Sequence, residues 1–130
     1  MSVPRIRATS LTIGAPDPRA LAAFYARLLD VEVTTTEEPG PDEPAQAGWA
    51  QVRTEHLTLN FEFERHWRAP VWPARGGEQL ATVHLDLWVD DLDAALARAV
   101  ECGGRLADEQ PQADVRVVID PAGHPFCLFE

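Results

Sequence analysis

The chain of 130 residues presents one order of secondary-structure signals twice. Sliding the first half by 74 residues places Leu11 on Leu85 and Asp17 on Asp91, so a strand pattern and a helix start coincide at a single offset. The length is close to that of one ordinary domain. The repeat therefore predicts a single domain, residues 1–130, made of two similar modules that share a core.

Each module is predicted to run strand, helix, strand, strand, strand, which makes an α+β fold. Asp17 and Asp91 are predicted N-caps because an aspartate side chain can accept backbone N–H groups at a helix start. The first module covers about 5–64, with strands at 6–13, 31–36, 49–53 and 57–63 and a helix from 18 to about 30. The second covers about 80–130, with strands at 82–89, 105–107, 115–119 and 126–129 and a helix from 92 to 102. The Pro- and Gly-rich residues 65–79 form a linker.

The charge balance excludes several classes of partner. There are 11 basic and 21 acidic side chains, a net charge of -10, so the surface repels phosphates and anionic lipids. We therefore expect no nucleic acid and no membrane as partners, and a neutral or cationic small molecule suits the charge better. No apolar run approaches the ~20 residues of a membrane span, and the N-terminus shows no secretory signal, so a cytoplasmic location is expected.

Two segments of the second module resemble a known family. They are residues 84–93, which read HLDLWVDDLD, and residues 120–128, which read DPAGHPFCL, and the linker residues 70–73 add to the likeness. These segments resemble glyoxalase-like domain proteins of the vicinal oxygen chelate superfamily, which includes glyoxalases, bleomycin resistance proteins and dioxygenases. The resemblance implies tandem βαβββ modules whose two four-stranded, curved sheets enclose a cleft. It also implies a small-molecule ligand, one divalent metal ion, and a homodimer as a common assembly.

The resemblance also implies a set of metal ligands, drawn from the first and fourth strand of each module. His84 occupies the first strand of the second module, whereas its counterpart Ser10 is a poor ligand. On the fourth strand of the first module, Glu62 is the expected ligand. The carboxylate position on the last strand falls on Cys127, a neutral thiol. The expected metal ligands are therefore His84 and Glu62, with Cys127 a doubtful third; Glu130 is an alternative carboxylate near the same strand.

Several residues near the expected metal ligands are expected to bind the small molecule. Strand alternation puts Asp86 and Trp88 on the face of His84 and puts Asn60 on the face of Glu62. Cys127 and Phe129 complete this expected set on the last strand. Two alternatives stay open: His84 is a core histidine, or Asp86 and Trp88 form an ordinary cross-strand pair on a solvated face.

Two hypotheses for function follow from these residues, beside a third alternative in which a degenerate domain acts through contacts with a partner. In the first, the cleft carries out metal-assisted lyase or isomerase chemistry, with Glu62 as the catalytic general base and His84 as ligand or acid. In the second, the protein sequesters an antibiotic without turning it over, as bleomycin resistance proteins do. The incomplete ligand set favours the second hypothesis. His124, after the turn glycine, is expected only to cap that turn.

Overall fold

A computed structural model describes residues 2–130 of the chain. The first module contains β1 (Ser10–Ala15), α1 (Pro18–Leu29), β2 (Thr35–Glu37), β3 (Trp49–Arg53) and β4 (Thr58–Phe63). The second contains β5 (Leu85–Trp88), α2 (Leu92–Cys102), β6 (Arg105–Leu106), β7 (Val115–Ile119) and β8 (Pro125–Phe129). Within the described residues, neither helix is long and apolar enough to cross a membrane.

Each module builds one four-stranded mixed sheet. The strand orders are β1-β4-β3-β2 and β5-β8-β7-β6, so the two sheets have the same topology. In each, the first strand pairs in parallel with the last, and the other pairings are antiparallel. The predicted α+β fold of tandem βαβββ modules is confirmed, and the sheets remain separate, with β1 and β5 at their edges.

Both helices begin and end where the sequence indicates. The side chain of Asp17 accepts a hydrogen bond from the backbone N–H of Ala20 at 3.1 Å, and Asp91 accepts one from Ala94 at 3.0 Å. Gly103 closes α2 in the left-handed region, at φ 119°. A residue without a Cβ adopts that conformation at little cost, which explains why α2 ends at this glycine.

The first strand of each module begins later than predicted. β1 starts at Ser10 rather than at residue 6, and β5 starts at Leu85 rather than at residue 82. The reason is the position of the partner strands: Ser10 pairs with Thr58, where β4 begins, and Leu85 pairs with Phe126 near the start of β8. Apolar, β-branched residues upstream have strand propensity but no neighbouring strand to pair with.

One core joins the two modules. Tyr25 of α1 lies 5.7 Å from Phe61 of β4 and 5.9 Å from Phe126 of β8, measured between ring centroids. All three side chains are buried, and one apolar cluster includes residues of both sheets. Because side chains alternate along a strand, Asn60 and Glu62 lie on the face of the first sheet opposite Leu59 and Phe61. The faces that carry the polar residues therefore point away from the shared core.

Candidate metal and ligand site

Three potential metal ligands meet on one face of the second sheet. His84 immediately precedes β5, Asp86 lies in β5, and Cys127 lies directly opposite Asp86 in β8. Their ligand atoms all lie within 4.8 Å of one another, and His84 Nε2 is 3.2 Å from Asp86 Oδ1. The period of two along β5 explains the geometry, because residues 84 and 86 point to the same side while Leu85 is buried in the core.

The group is accessible and electrostatically coupled. The side chains of His84 and Asp86 are about half exposed, while Cys127 is partly buried. Burial raises the pKa of the Cys127 thiol, and the neighbouring Asp86 carboxylate raises it further by its charge and by accepting a hydrogen bond from the thiol. The protonated thiol is therefore the stable form beside Asp86, and a metal ion would have to displace its proton.

The donor set fits a zinc-type ion. A zinc site that keeps one position open uses three protein ligands drawn from His, Cys and Asp or Glu. Bond lengths of about 2.0–2.3 Å in a tetrahedron separate the donors by roughly 3.5 Å. His84 and Asp86 already meet that spacing, and partly exposed side chains can close the rest by rotation.

The linker packs on the face of the second sheet that carries Cys127. Trp72 packs against Ala107, Val117 and Ile119 on the same face of the second sheet, and Cys127 contacts that small cluster. A groove of about 550 Å³ continues beyond Trp72, between the linker and β6. The Pro and Gly content of residues 65–79 indicated a linker, but it did not reveal which sheet face the Trp72 indole would cover.

The expected residues of the first sheet lie elsewhere. Glu62 is exposed on β4, in register with Gly14 and Trp49, and does not belong to the group of three. Asn60 accepts a hydrogen bond from Gln51 at 2.9 Å within that sheet. A contribution of Glu62 or Asn60 to the ligand site stays a prediction.

The remaining expected residues lie along β5 and β8. Trp88 is 67% exposed and is in register with the partly buried Phe129. Glu130 accepts a hydrogen bond from the backbone N–H of Leu92 at 2.8 Å, so this alternative carboxylate stabilises the start of α2.

His124 links the two modules, a role that the sequence did not indicate. Its Nε2 lies 2.9 Å from the carbonyl oxygen of Gly14 in β1, and its ring lies 4.9 Å from that of Trp67. Because a carbonyl only accepts, Nε2 carries the proton, so His124 ties the last turn of the second module to the first sheet. The link between modules was not visible in the sequence, where residues 14 and 124 are remote.

A buried pair reinforces the same junction. The Tyr25 hydroxyl donates to Asp120 Oδ2 at 2.6 Å, while Asp120 Oδ1 accepts from the backbone N–H groups of Ala122 and His124. Burial raises the pKa of Tyr25 well above its usual value, and Asp120 raises it further, so the phenol stays protonated and is the donor. Beside this junction, a cavity of about 220 Å³ separates β1 from the residues leading into β5.

Two open sheets of this topology, joined by their helix sides, define the glyoxalase-type class of α+β proteins. The glyoxalase-like domain model matches residues 10–129, nearly the whole chain. The chain therefore belongs to the glyoxalase-like domain family. No curated protein matches its sequence.

Solved structures share this fold at low sequence identity. A glyoxalase family protein from Enterococcus faecalis is 20% identical, with 95% of this chain and 97% of that chain covered and a TM-score of 0.67. The fosfomycin resistance protein FosX from Listeria monocytogenes, bound to Mn(II) and a dihydroxypropylphosphonic acid, is 13% identical, with coverages of 95% and 90% and a TM-score of 0.70. TnmS3, an antibiotic binding protein from Streptomyces sp. CB03234, is 19% identical, with coverages of 99% and 97% and a TM-score of 0.57.

Proposed function

We propose that this protein binds a small molecule at the face of the second sheet that carries His84, Asp86 and Cys127, with one divalent metal ion as the anchor. The observation that supports the proposal is the convergence of a nitrogen, an oxygen and a sulfur donor within 4.8 Å on an accessible surface. Groups of this kind are common ligands of a catalytic or substrate-binding zinc ion. The metal, when bound, would polarise an oxygen atom of the ligand.

The structural neighbours provide precedents for both parts of the proposal. FosX shares the fold and was crystallised with Mn(II) and a phosphonic acid, and TnmS3 shares the fold and binds an antibiotic. At 13% and 19% identity these likenesses concern the architecture, so the ligand of the present chain has to be argued from its own residues.

The residues that carry out a lyase or isomerase step would come from both sheets. His84 and Asp86 would hold the metal, and Glu62 would act as the general base. Since Glu62 lies on the first sheet and His84 on the approach to the second, this role needs a ligand that contacts both sheets. Glu62 is exposed and accepts no side-chain hydrogen bond within residues 2–130, so its carboxylate is accessible to a ligand.

A second candidate is a metal-free binding protein of the antibiotic-sequestering type. The observation in its favour is that the Asp86 carboxylate already faces two partners within the chain, because it lies 3.2 Å from His84 Nε2 and raises the pKa of the Cys127 thiol. A group that is internally paired can line a pocket without an ion.

Metal analysis distinguishes the two candidates. The purified protein should contain about one divalent ion per chain, or should bind added Zn(II) with a one-to-one stoichiometry in isothermal titration calorimetry. Cys127→Ala and His84→Ala should each weaken binding by at least about tenfold, since loss of a residue that only hydrogen-bonds to a metal ligand already costs that much. Cys102→Ala, which changes the other free cysteine, is the matched control and should leave the affinity unchanged.

The opposite result supports the second candidate. If neither Zn(II) nor Mn(II) binds stoichiometrically, the metal proposal is wrong. Saturable quenching of tryptophan fluorescence by members of an antibiotic panel would then support sequestration.

The proposed assembly is a homodimer. Val3 and Ile6 in the N-terminal arm are 87% and 85% exposed, and a dimer interface on this side would bury them. Light scattering during size-exclusion chromatography should give twice the chain mass of 14.4 kDa, and a monomer mass would reject the dimer.

A further inference from the structure

We infer that the cavity between β1 and the residues leading into β5 is a binding site for a small oxyanion, a carboxylate or a phosphate, held by Arg68 and by backbone N–H groups of β1. The inference deepens the proposed function and rests on it only in assuming that a small molecule is the natural ligand. It places the charged end of that ligand beside the metal group, since His84 lines the cavity as well.

The cavity lies where the two modules meet without pairing their sheets. It has a volume of about 220 Å³, and its walls come from β1, the two ends of the linker, and the segment that leads into β5. Trp67 and His124 form one end, packed against each other at 4.9 Å. Both β1 and β5 are edge strands, so their outer backbone groups have no ladder partner.

The lining lacks carboxylates in a strongly acidic protein. Although the chain has 21 acidic side chains, no Asp or Glu is among the described residues that line this cavity. Three acids adjoin lining residues, and each already has a partner: Glu64, next to Gly14, accepts a hydrogen bond from the backbone N–H of His66. Asp86 lies against His84 Nε2, and Asp120 is buried behind His124, where it accepts hydrogen bonds from Tyr25 and from two backbone N–H groups.

Arg68 supplies a free positive charge at the cavity wall. Its guanidinium has no hydrogen bond and no ion pair within residues 2–130, whereas Arg19, Arg27 and Arg98 each bond to carbonyl groups. A guanidinium presents several N–H donors in a planar fork that matches an oxyanion. Arg68 is therefore the residue best placed to attract one.

The outer edge of β1 provides donors on the same side. The carbonyls of Thr9 and Ala15 accept hydrogen bonds from β4, so by alternation the backbone groups of Thr12 and Gly14 point away from β4. His124 occupies the carbonyl of Gly14. The N–H groups of Thr12 and Gly14 are left facing the cavity, and such N–H groups favour an anion.

The test uses metal-free protein and two probes, sodium acetate and inorganic phosphate, titrated at constant ionic strength. Because Trp67 lines the cavity, binding should change tryptophan fluorescence in a saturable way. Trp67→Phe should abolish the change. Trp72→Phe is the matched control, since Trp72 lies in the other groove, and it should keep the change. Saturation by acetate alone identifies a carboxylate site, and saturation by phosphate identifies a phosphate site.

Arg68→Gln should lower the affinity for the probe that saturates by about tenfold or more, as expected for loss of a charge-assisted hydrogen bond. Arg65→Gln, in the same linker but over the Phe63 ring, should leave the affinity unchanged. No saturation by either probe, or equal weakening in both arginine variants, overturns the inference.

The remaining outcomes separate this inference from the proposed function. If the probe binds only after Zn(II) is added, or if Cys127→Ala abolishes its binding, the oxyanion belongs to the metal group and the cavity site is wrong while the metal proposal stands. If the probe binds metal-free protein that also fails to bind Zn(II), the cavity site stands and the metal proposal is wrong.

Discussion

Replacing Tyr25 by phenylalanine removes one hydroxyl from the junction between the modules. That hydroxyl donates at 2.6 Å to Asp120, and both side chains are almost completely buried, at 1% and 3% exposure. The substitution keeps the aromatic ring and its contacts with Phe61 and Phe126. The expected loss of stability therefore reports the hydrogen bond to the buried carboxylate rather than a cavity in the core.

The magnitude follows from the charge on the acceptor. Hydrogen bonds to charged groups contribute about 1.5–3 kcal/mol, and water cannot replace the lost donor at a site this enclosed. We expect the free energy of unfolding at pH 7 to fall by about 2 kcal/mol. With an unfolding entropy of about 2.1 cal/mol/K per residue, this corresponds to a decrease in Tm of about 7 °C.

The loss of stability caused by Tyr25→Phe should become smaller as the pH falls. Burial raises the pKa of Asp120, and the hydrogen bond from Tyr25 opposes that rise. With a folded pKa above the unfolded value of about 3.9, the contribution of Asp120 to stability increases as the pH falls from above the folded pKa towards the unfolded one. Tyr25→Phe raises the folded pKa further, so the difference between variant and wild type should shrink on acidification.

Urea unfolding followed by circular dichroism, at several pH values between 7 and 4, measures both effects. Asp120→Asn serves as the second background because it removes the buried charge. In that background, Tyr25→Phe should lower the free energy of unfolding by less than it does in the wild type. A loss below about 0.5 kcal/mol at pH 7, or an equal loss at all pH values and in both backgrounds, would refute the reasoning.

Two further predictions concern the turn before β8 and the start of α2. Gly123→Ala should lower the free energy of unfolding by about 1–3 kcal/mol, because Gly123 has φ 101° and an added Cβ would lie 2.8 Å from that of Ala69. Gly76→Ala, in open space, should change it little; equal losses in chemical unfolding would contradict this explanation. Asp91→Ala should cost about 1 kcal/mol through loss of the N-cap of α2, measured as a Tm decrease that the neighbouring Asp90→Ala does not show.

Signals that are local in the sequence predicted the helices and strands, whereas pairing with remote segments decided where the strands begin and end. Asp17, Asp91 and Gly103 mark helix ends because their effects operate within one turn of backbone. The strand predicted over 31–36 is reduced to Thr35–Glu37, since only that part pairs with β3. Strand length depends on a partner that is remote in sequence, and propensity does not contain that information.

The candidate site was likewise predicted partly from local alternation and partly from the family resemblance. Alternation along β5 put His84 and Asp86 on one face, and the resemblance implied that Cys127 occupies a ligand position of the last strand; the structure brings these three together. The resemblance also implied Glu62 from the first module; it lies in the first sheet and is not one of these three residues, so its part in the ligand site stays a prediction.

The sequence by itself determined the repeated order of helices and strands, the caps, the buried faces and the family, because these follow from short-range periodicity and from residues that lie close together along the chain. Only the tertiary structure decided that His124 bonds to Gly14, that Tyr25 donates to Asp120, and that Trp72 packs against Ala107, Val117 and Ile119. Each of those contacts joins segments 35 to 110 residues apart, and their positions are set by the packing of both modules around one core.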